Sequence, residues 1–183
     1  MRLNRFLLTL IMGIFMAKGA MAAANPENTV YLQLKDGTVV IQLRPDLAPK
    51  HVARIKELVR QHFYDGLVFH RVIDGFMAQT GDPTGTGNGG SSLPNLPAEF
   101  TTKEHFVRGT VGAARTSDPN SANSQFFIMF APAPSLDGQY TIWGQVTSGM
   151  EFVDKIKKGS EADNGKVIDP DKIITMRLGT DTK

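Results

Sequence analysis

Past residue 28 the chain is a succession of short β-rich runs cut by glycine, proline, asparagine and aspartate, with only two stretches of helical periodicity between them. Few architectures accept that pattern. Val30–Leu34 and Thr38–Leu43 flank Lys35-Asp36-Gly37, and an Asp-Gly pair between two alternating runs predicts an antiparallel hairpin. Pro45 stops the second run. A helix is expected from about Ala48, with Pro49 tolerated in its first turn; Val52, Ile55, Leu58, Val59 and Phe63 form its buried stripe, while Lys50, Arg54, Lys56, Glu57 and Arg60 stay wet. Leu67–Val72, Phe76–Thr80, Thr110–Ala114, Gln125–Phe130, Thr141–Val146 and Lys172–Leu178 read as further strands, and Met150–Lys158 as a second helix. The stretch Asp82–Pro97 is a loop crowded with Gly, Ser, Asn and Pro, and Asn25–Asn28 a short loose leader. Many short strands with two helices predict one mainly β domain, a closed antiparallel β-barrel capped by two α-helices, rather than a parallel βαβ sheet. Phe126, Ile128 and Ile142 are expected to fill its interior, which argues against a hollow ligand-binding barrel.

The first residues have a different character. Met1-Arg2-Leu3-Asn4-Arg5 is a positive start, Phe6–Ala17 an apolar run, and Ala20-Met21-Ala22 a small-x-small cleavage signal. That is the layout of a secretory signal peptide; Lys18 ends the run after 12 residues, short of the roughly 20 that span a bilayer. The expected organisation is a signal over 1–22, a leader over 23–28 and a domain over 29–180, exported to the periplasm with no stable membrane association after processing. The chain has no cysteine, so neither lipid attachment nor a disulfide framework is available. Removing the signal takes Arg2, Arg5 and Lys18 and leaves 17 basic against 18 acidic residues in 161, a formal charge of −1. The basic balance belongs to the export signal, and nothing in the domain calls for nucleic acid or anionic lipid.

Three catalytic patterns can be written down and set aside. Gly85-Thr86-Gly87-Asn88-Gly89-Gly90 matches a dinucleotide fingerprint in letters, but Pro94 and Pro97 follow where a helix should open. His51, His62, His70 and His105 are scattered with no cysteine beside them, unlike a metal site with three or four converging ligands; His70 could orient its neighbour Arg71. Ser124, His70 and Asp82 could be named as a hydrolytic triad, but no nucleophile elbow frames the serine. What remains is the run Phe69–Asp82 and the run Ser124–Ile128. They offer a permanent cation, two glutamine amides and an apolar wall, an inventory suited to rotating a bond rather than breaking one. Strand alternation puts Gln125 and Phe127 on one face, Phe126 and Ile128 on the other, and Met77 with Gln79 alternate in the same way. Two strands that each pair an apolar side chain with a glutamine make a groove for an extended peptide.

At these residues the chain resembles the cyclophilin family of peptidyl-prolyl cis-trans isomerases. The matching pieces are Phe69-His70-Arg71, Gly75-Phe76-Met77-Ala78-Gln79, Gly81-Asp82, Asn123-Ser124-Gln125-Phe126-Phe127-Ile128 and Leu136-Asp137-Gly138, and Ala113–Ala122 resembles the version in bacterial members. The resemblance implies an eight-stranded barrel with two helices and a surface groove for X-Pro peptides. It implies catalysis by Arg71 with Phe76, Gln79 and Phe127; Phe76, Met77, Phe127 and Leu136 would form the proline pocket. Gln79 would bond the substrate backbone, and Ala114, Arg115, Thr116 and Gln125 would line the neighbouring groove. Tyr140 stands where a histidine often sits, and Ser135 where a tryptophan that contacts cyclosporin often sits, so weakened cyclosporin binding is expected. The implied partners are proline-containing stretches of unfolded or partly folded exported proteins, met by a monomer with no cofactor and no metal. A non-catalytic peptide-binding module on the same barrel would need the pocket but not Arg71.

Overall fold

The computed structural model describes residues 25–181, so the expected signal over 1–22 and the first leader residues lie outside the described residues. The expected hairpin is present as β1 (Thr29–Leu34) and β2 (Gly37–Leu43), antiparallel with Leu34 opposite Gly37. α1 (Pro49–Arg60) follows and buries Val52, Ile55, Leu58 and Val59. Then come β3 (Arg71–Ile73), β4 (Met77–Thr80), β5 (Thr110–Ala113), β6 (Phe126–Met129), β7 (Ile142–Ser148), α2 (Met150–Val153) and β8 (Thr175–Leu178). The eight strands form one antiparallel sheet in the order β3-β4-β6-β5-β7-β2-β1-β8.

Five expectations are corrected. Arg54 is buried and not wet, its Nη2 donating to Pro94 O (2.8 Å). The sheet curls into a half-barrel instead of closing, because β3 and β8 are its two edges and do not pair as strands. Isolated bridges at Val68–Lys172 and Arg71–Lys166, with Phe69 N–H donating to Asp171 O (2.9 Å) and Ile173 N–H to Leu67 O (2.9 Å), cross the seam. Left-handed residues at Asn164 (φ 53°), Gly165 (φ 79°) and Asp169 (φ 53°) break the extended geometry that a continuous ladder would need. The second helix stops at Val153, because Gly159 N–H is drawn to Val72 O (2.8 Å) and Ser160 bridges Lys166, which pulls the chain out of helical register. Asn25–Asn28 is not loose: Asn25 caps a 3₁₀ turn, Lys56 Nζ donates to Asn28 Oδ1 (2.8 Å) and Gln42 Nε2 to Asn28 O (2.8 Å). Finally, Trp143 and not Ile142 fills the interior from β7. A register shift between Val111 and Gly112 against β7 turns Ile142 to the other face.

Inside the curl, Phe126 sits edge-on to Tyr64 (5.5 Å between ring centres) and to Trp143 (5.3 Å). The Tyr64 hydroxyl donates to Ser124 O (3.0 Å), which satisfies a polar tip in an apolar core; burial pushes this phenol up from its ordinary pKa.

Two carboxylates pin the long loop between β4 and β5. Glu99 accepts from the backbone N–H groups of Lys50 and His51 (3.0 Å each) and lies 2.6 Å from the His51 ring, supplying the cap that Ala48 lacks at the start of α1. Asp82, 1 % exposed, accepts from the backbone N–H groups of Thr84 (2.7 Å), Thr86 (3.1 Å), Gly87 (2.6 Å) and Gly89 (3.1 Å). Burial alone would push this carboxyl up, but its hydrogen bonds to Thr84, Gly89 and Gly87 win and hold it down at about 2. A carboxyl depressed in the folded state contributes stability that is present above its unfolded pKa and lost as pH falls through the folded value. The wild-type urea midpoint is therefore expected to fall between about pH 5 and pH 2. Asp82→Asn is expected to lower stability by about 2 kcal/mol at neutral pH and to flatten that fall, read by urea titration at a series of pH values.

Candidate active site

Antiparallel register assembles the site from strands distant in sequence. Arg71 on β3 lies opposite Gln79 on β4, Gln79 opposite Phe127 on β6, and Phe127 opposite Gly112 on β5. These four therefore form one row across four strands. The alternation expected along β4 and β6 holds: Ala78, Phe126 and Ile128 belong to the interior core, while Met77, Phe127 and Met129 belong to a second apolar cluster on the outer face.

That second cluster floors a notch of about 180 Å³. Phe76, Met77, Phe127 and Leu136 supply its apolar wall and Tyr140 its rim. Arg71, Gln79, Ala114 and Arg115 line the same notch. Thr116 and Gln125 lie in the adjoining hollow of about 330 Å³, which shares Gln79, Ala114 and Arg115 with the notch. The Phe127 ring is stacked on Phe106 (5.8 Å) and edge-on to Tyr140 (5.8 Å). Gly112 makes this possible: a Cβ there would stand 2.6 Å from the Phe127 ring and 2.7 Å from the Phe106 ring.

The polar half is a chain of hydrogen bonds. Arg71 Nη1 donates to Gln79 Oε1 (3.2 Å), Gln79 Nε2 to Gln125 Oε1 (2.9 Å), and Gln125 Nε2 to Gly87 O (2.9 Å) and Gly89 O (2.8 Å). The last two carbonyls belong to the loop organised by Asp82. On its other side Arg71 donates from Nε to Asn164 O (3.0 Å) and from Nη2 to Asn164 Oδ1 (2.9 Å). Three of the five guanidinium N–H groups are thus committed, leaving one on each terminal nitrogen free. Half-burial pulls the guanidinium down from its ordinary pKa, and it has no carboxylate partner among the described residues.

Asn164 and Gly112 were not among the residues singled out from the sequence. Asp163-Asn164-Gly165 reads as a turn and no more, and its approach to Arg71 spans 93 positions. His70 does not orient Arg71. Its ring is 7 % exposed with neither nitrogen bonded among the described residues, and burial holds it below its usual pKa. His51 Nε2 is likewise buried without a hydrogen-bond partner among the described residues. No triad assembles: Ser124 Oγ donates to Gly81 O (2.7 Å), and Asp82 is occupied by backbone.

Comparison with known proteins agrees with this geometry. Residues 29–178 match the family described as cyclophilin type peptidyl-prolyl cis-trans isomerase. The chain is 63% identical over 173 residues to a probable peptidyl-prolyl cis-trans isomerase of Brucella suis, covering 88% of each chain. It is 43% identical over 151 residues to a peptidyl-prolyl cis-trans isomerase of Dictyostelium discoideum, covering 81% of this chain and 96% of that one. Among solved structures it is similar to a cyclophilin from Hirschia baltica (TM-score 0.76, 27% identity, 87% and 77% coverage). It is also similar to a Cryptosporidium parvum cyclophilin-type isomerase crystallised in the presence of the dipeptide Ala-Pro (TM-score 0.75, 29% identity, 82% and 98% coverage).

The close fit at Gly112 yields a test. Gly112→Ala is expected to cost about 1–3 kcal/mol of stability by overpacking and to push the Phe127 ring into the notch. Thermal unfolding reads the first effect, and a shift of the Phe127 ring-proton resonances in NMR reads the second.

Proposed function

The chain belongs to the cyclophilin-type peptidyl-prolyl cis-trans isomerase family, and we propose that it speeds rotation about X-Pro bonds in exported polypeptides, with Arg71 as the residue that favours the twisted bond. The observation that carries this reading is the row Arg71–Gln79–Phe127, in which a guanidinium with free donors and an apolar ring share one strand register over a single notch.

The chemistry follows from the peptide bond. Partial double-bond character sets a rotation barrier of about 18–20 kcal/mol. X-Pro is the useful substrate because its two isomers differ by only about 0.5–1 kcal/mol yet exchange over tens to hundreds of seconds. At the twisted transition state the proline nitrogen becomes pyramidal and regains a lone pair. The free N–H groups of Arg71 donate to that nitrogen or to the adjoining carbonyl, and a planar, permanently charged fork suits this better than a lysine would. The ring rests in the notch on Phe76, Met77, Phe127 and Leu136. Gln79 retains a second N–H and a second lone pair beyond its bonds to Gln125 and Arg71, and with these it holds the substrate backbone. Ala114, Thr116 and Gln125 line the continuation of the groove. With both sides of the bond held, the protein binds the twisted state more tightly than either planar one. Lowering the barrier by about 7 kcal/mol corresponds to roughly 10⁵-fold acceleration, with no cofactor or metal taking part.

Export rests on the charged start, apolar run and Ala20-Met21-Ala22 of the first 22 residues. With them removed, the domain acts as a monomer in the periplasm, and its clients are unfolded or partly folded chains that have crossed the inner membrane. Ser135, exposed and next to Leu136 in the chain, stands where the resemblance leads one to expect a tryptophan, which supports weakened cyclosporin binding.

Arg71→Ala is expected to fold normally and to lose about 10²–10³ in kcat/KM on a proline tetrapeptide in NMR exchange measurements, the scale set by removing one transition-state donor. Near-normal turnover would take Arg71 out of its role, whereas no turnover by the unaltered chain would favour the non-catalytic binding module. Phe127→Ala is expected to weaken binding of a proline peptide by about ten-fold or more, equivalent to roughly 1.4 kcal/mol, in calorimetry.

A further inference from the structure

A second arginine stands at the notch, and nothing in the rotation chemistry uses it. Arg115 is held in place from three sides. Its Nε and Nη2 donate to Gln139 O (3.1 and 2.8 Å), its Nη1 donates to Thr116 O (2.8 Å), and its guanidinium lies 4.4 Å above the Tyr140 ring. As with Arg71, two N–H groups are left over, one on each terminal nitrogen.

The charge around it is one-sided. Arg44, Arg108 and Arg177 each pair with a carboxylate, whereas Arg71 and Arg115 have none among the described residues. No aspartate or glutamate lines the notch or the adjoining hollow. The two acidic residues nearest in sequence to this wall are committed elsewhere. Asp118 accepts from Asn120 N–H (2.8 Å), and Asp137 accepts from Phe106 N–H (2.8 Å) and lies 2.7 Å from the His105 ring. A domain of formal charge −1 thus carries two carboxylate-free cations on a groove whose other lining groups are neutral.

We propose that Arg115 is a specificity-determining residue that selects acidic side chains flanking the proline, on the side of the peptide that runs from the notch into the adjoining hollow. This rests on the isomerase reading and adds the substrate class. Arg115 belongs to both cavities, so a peptide with its ring in the notch must pass this guanidinium as it enters the hollow. A glutamate or aspartate there meets two free donors already fixed in direction, so little side-chain entropy is lost on pairing. A lysine there meets an uncompensated like charge.

The test uses four proline peptides per side chain, with Glu, Gln or Lys placed at each of the two positions before and the two after proline, and kcat/KM measured by NMR exchange at low ionic strength. At one or two adjacent positions on a single flank, Glu is expected to exceed Lys by about ten-fold, the sum of a modest attraction and a modest repulsion at a partly solvated site. The ratio is expected to drop in Arg115→Gln, to invert in Arg115→Glu, and to shrink toward unity near 1 M salt, where the screening length is about 3 Å. Equal rates for Glu and Lys at every position, or a ratio unchanged in Arg115→Glu, would overturn the proposal. The uncharged Gln peptides separate the two readings: wild-type turnover of them without charge discrimination defeats only the role of Arg115, and no turnover of any peptide defeats the isomerase itself.

Discussion

Two phenylalanines adjacent in sequence, Phe126 and Phe127, stand on opposite sides of one sheet because a strand reverses its side chains at every residue. Phe126 is clamped between Tyr64 and Trp143 and forms the centre of the core; Phe127 lies against Phe106 and Tyr140 and forms the wall of the notch. A slip of one residue in the pairing of β6 would exchange them and turn Gln125 inward and Ile128 outward, disrupting the core and the polar row together. The packing that stabilises the fold therefore also fixes where the site is.

The polar row is an extension of the same ladder. Arg71 and Gln79 are register partners, so their side chains meet without a turn or loop to bring them together. Gln125 then ties the row to a loop with no regular structure, through the carbonyls of Gly87 and Gly89. That loop could not hold its shape on backbone contacts alone. The Asp82 carboxylate gathers its N–H groups from inside, and the carbonyls of the same glycines are thereby left facing the Gln125 amide. A charged group serves the structure at one end of the chain of bonds and the chemistry at the other, with neutral amides between them.

Much of this was legible in the sequence because it depends on short-range periodicity. The Asp36-Gly37 hairpin, the apolar stripe of α1 and the alternation along β4 and β6 each follow from neighbours within a few residues, and the linked motifs carried the resemblance to cyclophilins. What was not legible depends on contacts between distant segments. Ile142 and Trp143 are equally apolar, and only the irregular pairing of β5 with β7 decides which of them enters the core. Gly112 looks like any strand glycine until two aromatic rings from other elements close over it. Asn164 sits in an ordinary turn, and its use appears only when the curl of the sheet brings that turn against Arg71. The same left-handed residues that seat Asn164 also interrupt the pairing between β3 and β8, so the open seam and the support of the guanidinium have one origin.

The partners of Arg71 are amide and carbonyl oxygens, and this choice has an electrostatic consequence. Arg44, Arg108 and Arg177 hold carboxylates, and those hydrogen bonds push each guanidinium up from its ordinary pKa and neutralise its field. Arg71 is displaced the other way, by burial. Neutral acceptors fix a fork in place as firmly as a carboxylate would, but they leave its charge unspent. In a half-buried site that charge acts through a medium less polar than water, where it is worth more. A cation so held cannot lower its energy by pairing within the protein, and it does so best when a lone pair appears in front of it. Under the proposed function, that lone pair is the one the proline nitrogen regains as the imide bond turns out of plane.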